Sequence, residues 1–111
     1  MTYDNENIFA KILKGEIPCD KVFENDYALS FKDINPKAKT HLLIITKEPF
    51  IDISDFLQNA DNLYKIKFWE SVDEIINNLG FRDQGFQIKT HKGKDGGQEV
   101  FHFHLHLLAN V

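Results

Sequence analysis

The chain is poor in cysteine, in long apolar runs and in basic charge. Its 111 residues include one cysteine, Cys19, which excludes a disulfide framework and a zinc site built from several thiolates. No segment approaches the ~18 consecutive apolar residues of a membrane span, and the first residues lack an apolar run, so we expect neither a membrane helix nor a signal peptide. Thirteen basic against 17 acidic residues give a net charge of -4. That balance argues against a nucleic-acid binder, because phosphate contacts need a basic face.

Apolar and aromatic residues are plentiful by contrast. Hydrophobic residues make up 42% of the chain and aromatic residues 13%, with ten phenylalanines. This content indicates a packed core and excludes a disordered chain. The length fits one domain, residues 1–111, since domains usually run to about 100–150 residues. We expect a cytoplasmic protein in a reducing compartment.

The apolar spacing predicts two helical regions and five strands. A short helix begins at Ile8 with Asn7 as its cap, and Gly15 stands where helices end. A stripe of helical period over residues 54–79 predicts a long helix, or a short and a long helix divided near residues 59–62. The predicted strands are bounded by turn residues and cover residues 21–24, 28–31, 41–46, 86–90 and 101–108. This order predicts an α+β fold with a mainly antiparallel sheet backed by helices.

Three of the five histidines lie in the last predicted strand. Because strand side chains alternate, His102, His104 and His106 share one face while the apolar residues between them point to the core. One interpretation is that the three histidines fall by chance on a strand face that is exposed to solvent. A metal site is another, but the outer two histidines are about 13 Å apart along a strand, so one ion could bind only two of them. Catalysis is the interpretation we favour, because neutral imidazole is a nucleophile and proton carrier near pH 7.

A glycine-rich segment, residues 92–98, precedes this strand. Gly93, Gly96 and Gly97 allow backbone N–H groups to approach a ligand and form an anion-binding concavity. An ordinary hairpin turn would need similar residues. Its position just before a row of imidazoles favours a phosphate cradle.

These residues resemble the histidine triad (HIT) superfamily, whose signature alternates three histidines with apolar residues. His102 to Leu108 satisfies every position of that signature. Within the superfamily the chain resembles the Hint branch, the histidine triad nucleotide-binding proteins. The likeness extends over segments that match the branch's opening helix, its central segment and its approach to the triad: residues 8–18, 31–41 and 95–101.

The resemblance implies a fold and a chemistry. Hint proteins have five-stranded sheets with a short and a long helix, and two copies join into a homodimer with one ten-stranded sheet. They bind purine nucleoside monophosphates and hydrolyse nucleoside phosphoramidates. By position, His104 would be the nucleophile that forms a covalent nucleotidyl-histidine, and His106 would contact the phosphate and assist the leaving group. His102 and His41 would orient the row.

The resemblance also implies a nucleotide site. Asp33 would accept hydrogen bonds from the ribose hydroxyls, and backbone N–H groups near Gly97, Gln98 and Glu99 would hold the phosphate. The base would lie against apolar side chains: Ile8, Phe9, Ile12, Phe31, Ile34 and Leu43. Taken alone, Asp33 also suits a turn, and the apolar residues suit a plain core.

The chain departs from the Hint pattern at several positions. Glu99 replaces a usual Ser or Thr, and its carboxylate would repel a phosphate unless it points away. His91 replaces a usual Asn and could supply the same hydrogen bond to the nucleotide. The sequence stops at Val111, before the glycine pair and tail common in the branch, which leaves the leaving-group selectivity open. No Cys-x-x-Cys is present near the start, so we expect no metal and no cofactor.

Two other functions remain open at this point. A dinucleoside polyphosphate hydrolase of the Fhit type would share the triad and the nucleophile but not the leaving group. A nucleotide-binding regulator would share the pocket, with incidental activity. In either enzyme, activity should fall below pH about 6, where an unshifted imidazole becomes protonated.

Overall fold

The computed structural model describes residues 1–111 and contains three α-helices and five β-strands. The helices are α1 (Ile8–Leu13), α2 (Ile53–Asn59) and α3 (Asn62–Leu79). The strands are β1 (Lys21–Glu24), β2 (Ala28–Lys32), β3 (Thr40–Thr46), β4 (Gln87–Lys89) and β5 (His104–Ala109). None of the helices is both long and apolar enough to cross a bilayer.

The five strands form one antiparallel sheet in the order β1-β2-β3-β5-β4. The predicted α+β fold with an antiparallel sheet and helices is therefore confirmed. β3 and β5 lie at the centre, where an apolar strand can be covered on both faces, and β4 forms one edge. Their pairing places His41 opposite Leu108 and Leu43 opposite His106, so the histidines of two strands that are distant in sequence become neighbours.

The predicted helical stripe is divided into two helices, the second of the two alternatives. Ala60 is extended and ends α2, and the Asp61 side chain accepts a hydrogen bond from the N–H of Tyr64 to begin α3. At the other end of α3, Gly80 has the left-handed conformation that favours glycine. The predicted cap of α1 is also present, because the Asn7 side chain accepts from the N–H of Ala10 at 2.9 Å.

β5 begins at His104, three residues later than predicted. Residues 101–103 are not part of the ladder, and instead the N–H of Phe103 donates to the carbonyl of Phe50 at 2.7 Å. The alternation of side chains nevertheless continues through this segment, since Phe103 joins the same core as Leu105 and Leu107. His102 therefore lies on the histidine face without being a strand residue.

The two faces of the sheet carry apolar clusters of different size. The face covered by α2 and α3 holds a cluster of 16 buried residues. The face covered by α1 holds five buried apolar residues: Phe9, Leu29, Phe31, Leu43 and Ile45. The histidine row shares this second face, and we refer to the two as the helical face and the histidine face.

Candidate active site

His102 is fully buried, and both of its ring nitrogens are hydrogen-bonded. Its Nε2 lies 2.8 Å from the carbonyl oxygen of Thr46, and its Nδ1 lies 2.6 Å from the Tyr3 hydroxyl. A carbonyl can only accept, so Nε2 carries the proton and Nδ1 accepts from the tyrosine O–H. His102 is thus an anchor whose ring is unavailable to a ligand.

His104 has the opposite arrangement. Its Nδ1 lies 2.6 Å from the carbonyl oxygen of His102, so Nδ1 carries the proton and donates it to that carbonyl. The Nε2 lone pair is left free. The ring packs edge-on against Phe9 and His106, with centroids 4.9 and 5.1 Å away.

The tautomers of His41 and His106 follow from a backbone contact. The N–H of Lys37 donates to His41 Nδ1 at 3.0 Å, so the proton of this neutral ring is on Nε2. That nitrogen lies 3.0 Å from His106 Nδ1, which must accept. His106 therefore carries its own proton on Nε2 and presents an N–H donor to the site.

Burial lowers the pKa of each triad histidine. The pKa of His102 falls to about 4, chiefly through burial and against the opposing hydrogen bond to Thr46. The pKa of His106 also falls to about 4, through burial and then through the neighbouring His104, His41 and His91. Burial lowers the pKa of His104 as well, partly offset by its bond to the His102 carbonyl. All three rings are therefore neutral at pH 7, the state in which a nucleophilic nitrogen keeps its lone pair.

Asp33, His41 and His106 are the one group of side chains whose ligand atoms converge closely enough for a metal ion, within 4.8 Å of one another. The tautomers oppose such a site. Because His41 Nδ1 already accepts from a backbone N–H, a metal on its Nε2 would require an imidazolate ring. Asp33 Oδ2 lies 3.4 Å from His41 Nε2, close enough for its charge to act on the ring, while the hydrogen bond from Nε2 goes to His106.

The structure brings together four of the six predicted base-pocket residues. Phe9, Phe31 and Leu43 are buried in the cluster of the histidine face, and Ile12 packs against it. Ile8 is 43% exposed and Ile34 is 88% exposed, and neither belongs to the cluster. The roles of all six stay predictions.

The glycine-rich loop is held by its own hydrogen bonds. The N–H groups of Gly97 and Gln98 donate to the carbonyls of Lys94 and Gly93, so these two amides are already satisfied. Of the three amides predicted to hold a phosphate, that of Glu99 makes no hydrogen bond within the protein. The Glu99 side chain is exposed.

The Gln98 side chain is structural. It is buried and donates to the carbonyls of Ile51 at 2.7 Å and Val100 at 3.0 Å, while its oxygen accepts from the N–H of Gly93 at 2.7 Å. A nucleotide contact from this carboxamide would break three hydrogen bonds. Within the predicted site, the Gln98 side chain therefore stabilises the glycine-rich loop.

His91 is half-buried beside the triad. Its ring lies edge-on to His106, with centroids 5.6 Å apart, and its Cδ2 lies 3.6 Å from where a Cβ on Gly97 would stand. No group of the protein hydrogen-bonds its ring nitrogens, so they are free for a ligand.

Sequence reasoning missed two contributors to the site. Tyr3 and Thr46 complete the hydrogen bonds of His102. Thr46 ends a strand whose pairing with β5 decides its position, and Tyr3 comes from an irregular segment 99 residues away in sequence. No pattern in the sequence connects either of them with the histidines.

Comparison with known proteins places this geometry in a family. The model of the HIT domain matches residues 14–111. This chain belongs to the HIT family. The histidines of the HIT chain described above are all within the matched region, and Tyr3 lies outside it.

Relatives of the HIT chain are similar along most of its length. An uncharacterized 13.2 kDa HIT-like protein of Azospirillum brasilense is 44% identical over 108 residues, which are 97% of this chain and 88% of that protein. A HIT family hydrolase from Clostridium thermocellum superposes with a TM-score of 0.86 at 32% identity, covering 97% of this chain and 93% of its own. A histidine triad nucleotide-binding protein from Candida albicans superposes with a TM-score of 0.80 at 32% identity, covering 92% and 73%.

Proposed function

We propose that the HIT chain is a nucleotide-binding hydrolase of the Hint branch, a purine nucleoside phosphoramidase that acts through a nucleotidyl-histidine on His104. The observation that carries the proposal is the free Nε2 of His104. Its Nδ1 proton is held by the His102 carbonyl at 2.6 Å, and burial lowers its pKa. The neutral ring therefore presents one lone pair in one direction at neutral pH, which a nucleophile requires.

The reaction has two displacements at phosphorus. His104 Nε2 attacks the α-phosphorus, the P–N bond breaks as the Nε2–H proton of His106 passes to the nitrogen, and the amine leaves. Water then attacks the phosphorus of the nucleotidyl-histidine, a proton of the water returns to His106 Nε2, and the bond to His104 Nε2 breaks to release a nucleoside monophosphate. The Nε2–H of His106, whose tautomer is set by His41, donates a hydrogen bond to the phosphate or to the leaving atom.

The binding of substrate follows from the surroundings of the triad. The apolar cluster with Phe9 suits a flat base, and the Asp33 carboxylate suits the two ribose hydroxyls, as carboxylates do in other nucleotide sites. The free amide of Glu99 and the open ring of His91 are available to the phosphate. Because the neutral triad carries no positive charge, affinity for phosphate depends on these directed N–H groups rather than on the net charge of -4.

We propose further that two copies form a homodimer with a continuous ten-stranded sheet. β4 is an edge strand, so its outer backbone groups are open to a second strand. Apolar side chains are exposed on β4 and beside it, at Ile88 and Phe86, and Trp69 is exposed on α3. Sedimentation equilibrium should give a dimer, and Ile88→Asp, which places a charge on the exposed apolar surface of β4, should shift it toward monomer.

Mass spectrometry of the protein mixed with an adenosine phosphoramidate tests the chemistry. The expected product is an adenylyl adduct on the peptide containing His104, which disappears in His104→Ala. Hydrolysis of a dinucleoside polyphosphate at a higher kcat/KM than the phosphoramidate would instead assign the Fhit type. Turnover that persists in His104→Ala would overturn the mechanism.

A further inference from the structure

The N–H of His41 Nε2 donates to one acceptor and lies beside a carboxylate. His106 Nδ1 lies 3.0 Å away and Asp33 Oδ2 lies 3.4 Å away. The backbone N–H of Lys37 holds Nδ1 of the same ring, so the proton cannot move to the other nitrogen while the ring is neutral. The hydrogen bond goes to His106, and the charge of the Asp33 carboxylate lies next to it.

The Asp33 carboxylate is held at one oxygen and open at the other. Its Oδ1 accepts from the N–H of Asn35 at 2.7 Å, which fixes the orientation of the group. Its side chain is 17% exposed, whereas that of His41 is 4% exposed. A ligand hydroxyl can therefore reach Asp33 but cannot reach His41, so the effect of the sugar hydroxyls on His41 must pass through Asp33.

We infer that Asp33 is a positioning residue, which couples occupancy of the ribose site to the hydrogen-bond donor of His106. In the empty site the negative charge beside Nε2 makes the His41 N–H a weaker donor to His106. When ribose hydroxyls donate to the carboxylate, they partly neutralise its charge, and the hydrogen bond from His41 to His106 becomes stronger. This inference rests on the proposed function, since it takes the ribose contact and the role of His106 from it.

The physical reason is cooperative polarisation along the relay from Asp33 through His41 to His106. An imidazole whose Nδ1 accepts a stronger hydrogen bond is a better donor at Nε2, because hydrogen bonds in a chain polarise one another. The Nε2–H of His106 is the group aimed at the reacting phosphate. A bound ribose therefore strengthens the contact that stabilises the transition state. Binding of the sugar hydroxyls consequently increases the rate of the chemical step.

The kinetic test compares two substrates that differ only in the sugar. Single-turnover rate constants are measured at saturating enzyme for an adenosine phosphoramidate and its 2′,3′-dideoxy analogue with the same amine. We expect the dideoxy substrate to react about fivefold more slowly once bound, the size of about one neutral hydrogen bond. If Asp33 merely binds ribose, the two rate constants will be equal and only the affinities will differ, which overturns the inference.

Asp33→Asn provides the decisive variant. The amide keeps the size and the Asn35 contact but places no charge beside His41. We expect equal rate constants for the two substrates in this variant, and a rate for the dideoxy substrate about fivefold above that of the unaltered protein. A loss of rate with both substrates would contradict the relay.

Asp20→Asn is the matched control. It removes a carboxylate that pairs with Lys32 at 3.6 Å on the exposed surface. This variant should retain the sugar effect in full. A sugar effect that disappears here as well would show that bulk charge rather than the relay is responsible, and would overturn the inference.

A measurement on binding alone separates this inference from the proposed function. When adenosine monophosphate binds, the ¹⁵N chemical shift of His106 Nδ1 should change in the direction that reports a stronger hydrogen bond accepted from His41. It should stay unchanged when the 2′,3′-dideoxy analogue binds. The same shift with both ligands, or with neither, overturns the relay. Absence of His104-dependent turnover, with the NMR difference intact, would overturn the phosphoramidase proposal and leave the relay standing.

Discussion

The two faces of the sheet use the same strands for different purposes. On the helical face, 16 buried apolar residues pack under α2 and α3, with Phe103 stacked 4.8 Å from Phe56. On the histidine face, five buried apolar residues share the space with imidazoles whose hydrogen bonds determine their tautomers. Phe103 and His104 are adjacent in sequence and belong to opposite faces. One alternating segment therefore supplies core residues to one side of the sheet and reactive side chains to the other.

Substitution of His104 should give the largest effect, on activity alone. His104→Ala removes the nucleophile and should lower kcat/KM by about 10⁴-fold. The midpoint of urea unfolding should change little, because the larger apolar cluster lies on the other face. Steady-state kinetics and urea titration of the same preparation measure both. A loss of stability as large as the loss of transition-state binding would remove the distinction between the faces.

Substitution of the neighbouring residue, Phe103, should lower stability and leave activity largely unchanged. Phe103→Ala removes a fully buried ring and should lower the free energy of unfolding by about 3–5 kcal/mol. The folded fraction should keep most of its activity at low temperature. Denaturant unfolding followed by tryptophan fluorescence at Trp69, which is edge-on to Phe56 and Phe68, gives the stability. Activity lost at unchanged stability would mean that Phe103 serves the site.

Acid should weaken the histidine face before it affects the helical face. Burial lowers the pKa of His102 to about 4 in the folded chain, against 6.5 when unfolded. The unfolded state therefore binds the proton first as pH falls, so stability is complete above pH 6.5 and is lost progressively down to pH 4. The loss from this ring is about 3 kcal/mol.

Urea unfolding between pH 7 and pH 4 measures this loss. The His102→Asn variant should show a flatter pH dependence over the same range, since it has no group to protonate there. Equal pH dependence in the two proteins would refute the assignment to His102.

The pH profile of activity tests the burial of the histidine face in a second way. Burial lowers the pKa of His104, so its lone pair persists at a pH where a free imidazole is protonated. The acid limb of kcat/KM should therefore lie below pH 6.5, with a rate at pH 5.5 well above the tenth that an unshifted imidazole would leave. The sequence-based expectation of a fall below pH about 6 assumed an unshifted imidazole, and the lowered pKa of His104 moves the expected fall toward lower pH. A midpoint at or above 6.5 would contradict the burial of this ring.

Removal of one hydroxyl should give the smallest effect. Tyr3→Phe leaves His102 Nδ1 without its donor at 2.6 Å and should cost about 1 kcal/mol of stability. Tyr27→Phe is the matched control, because the Tyr27 hydroxyl makes no hydrogen bond while its ring packs on Tyr64. Thermal unfolding should separate the two variants, and equal values would show that the Tyr3 contact contributes nothing.

Much of the fold could be predicted because it depends on local signals. The cap at Asn7, the stop at Gly80 and the apolar alternation of residues 103–107 act within a few residues of one another. The sequence also determined which histidines share a face. It could not decide that β5 begins at His104, since that depends on a distant contact between Phe103 and Phe50.

The tautomers and the chemistry they permit were decided only by the tertiary structure. His41 acts on His106 because β3 and β5 pair, and its proton is placed by the N–H of Lys37. The sequence resemblance implied that the Gly97 and Gln98 amides hold a phosphate, whereas in the structure both donate to carbonyls within the loop. Alternation along a strand is a property of the chain itself, so sequence reveals it. A hydrogen bond between residues that are 65 positions apart, as His41 and His106 are, exists only once the chain has folded.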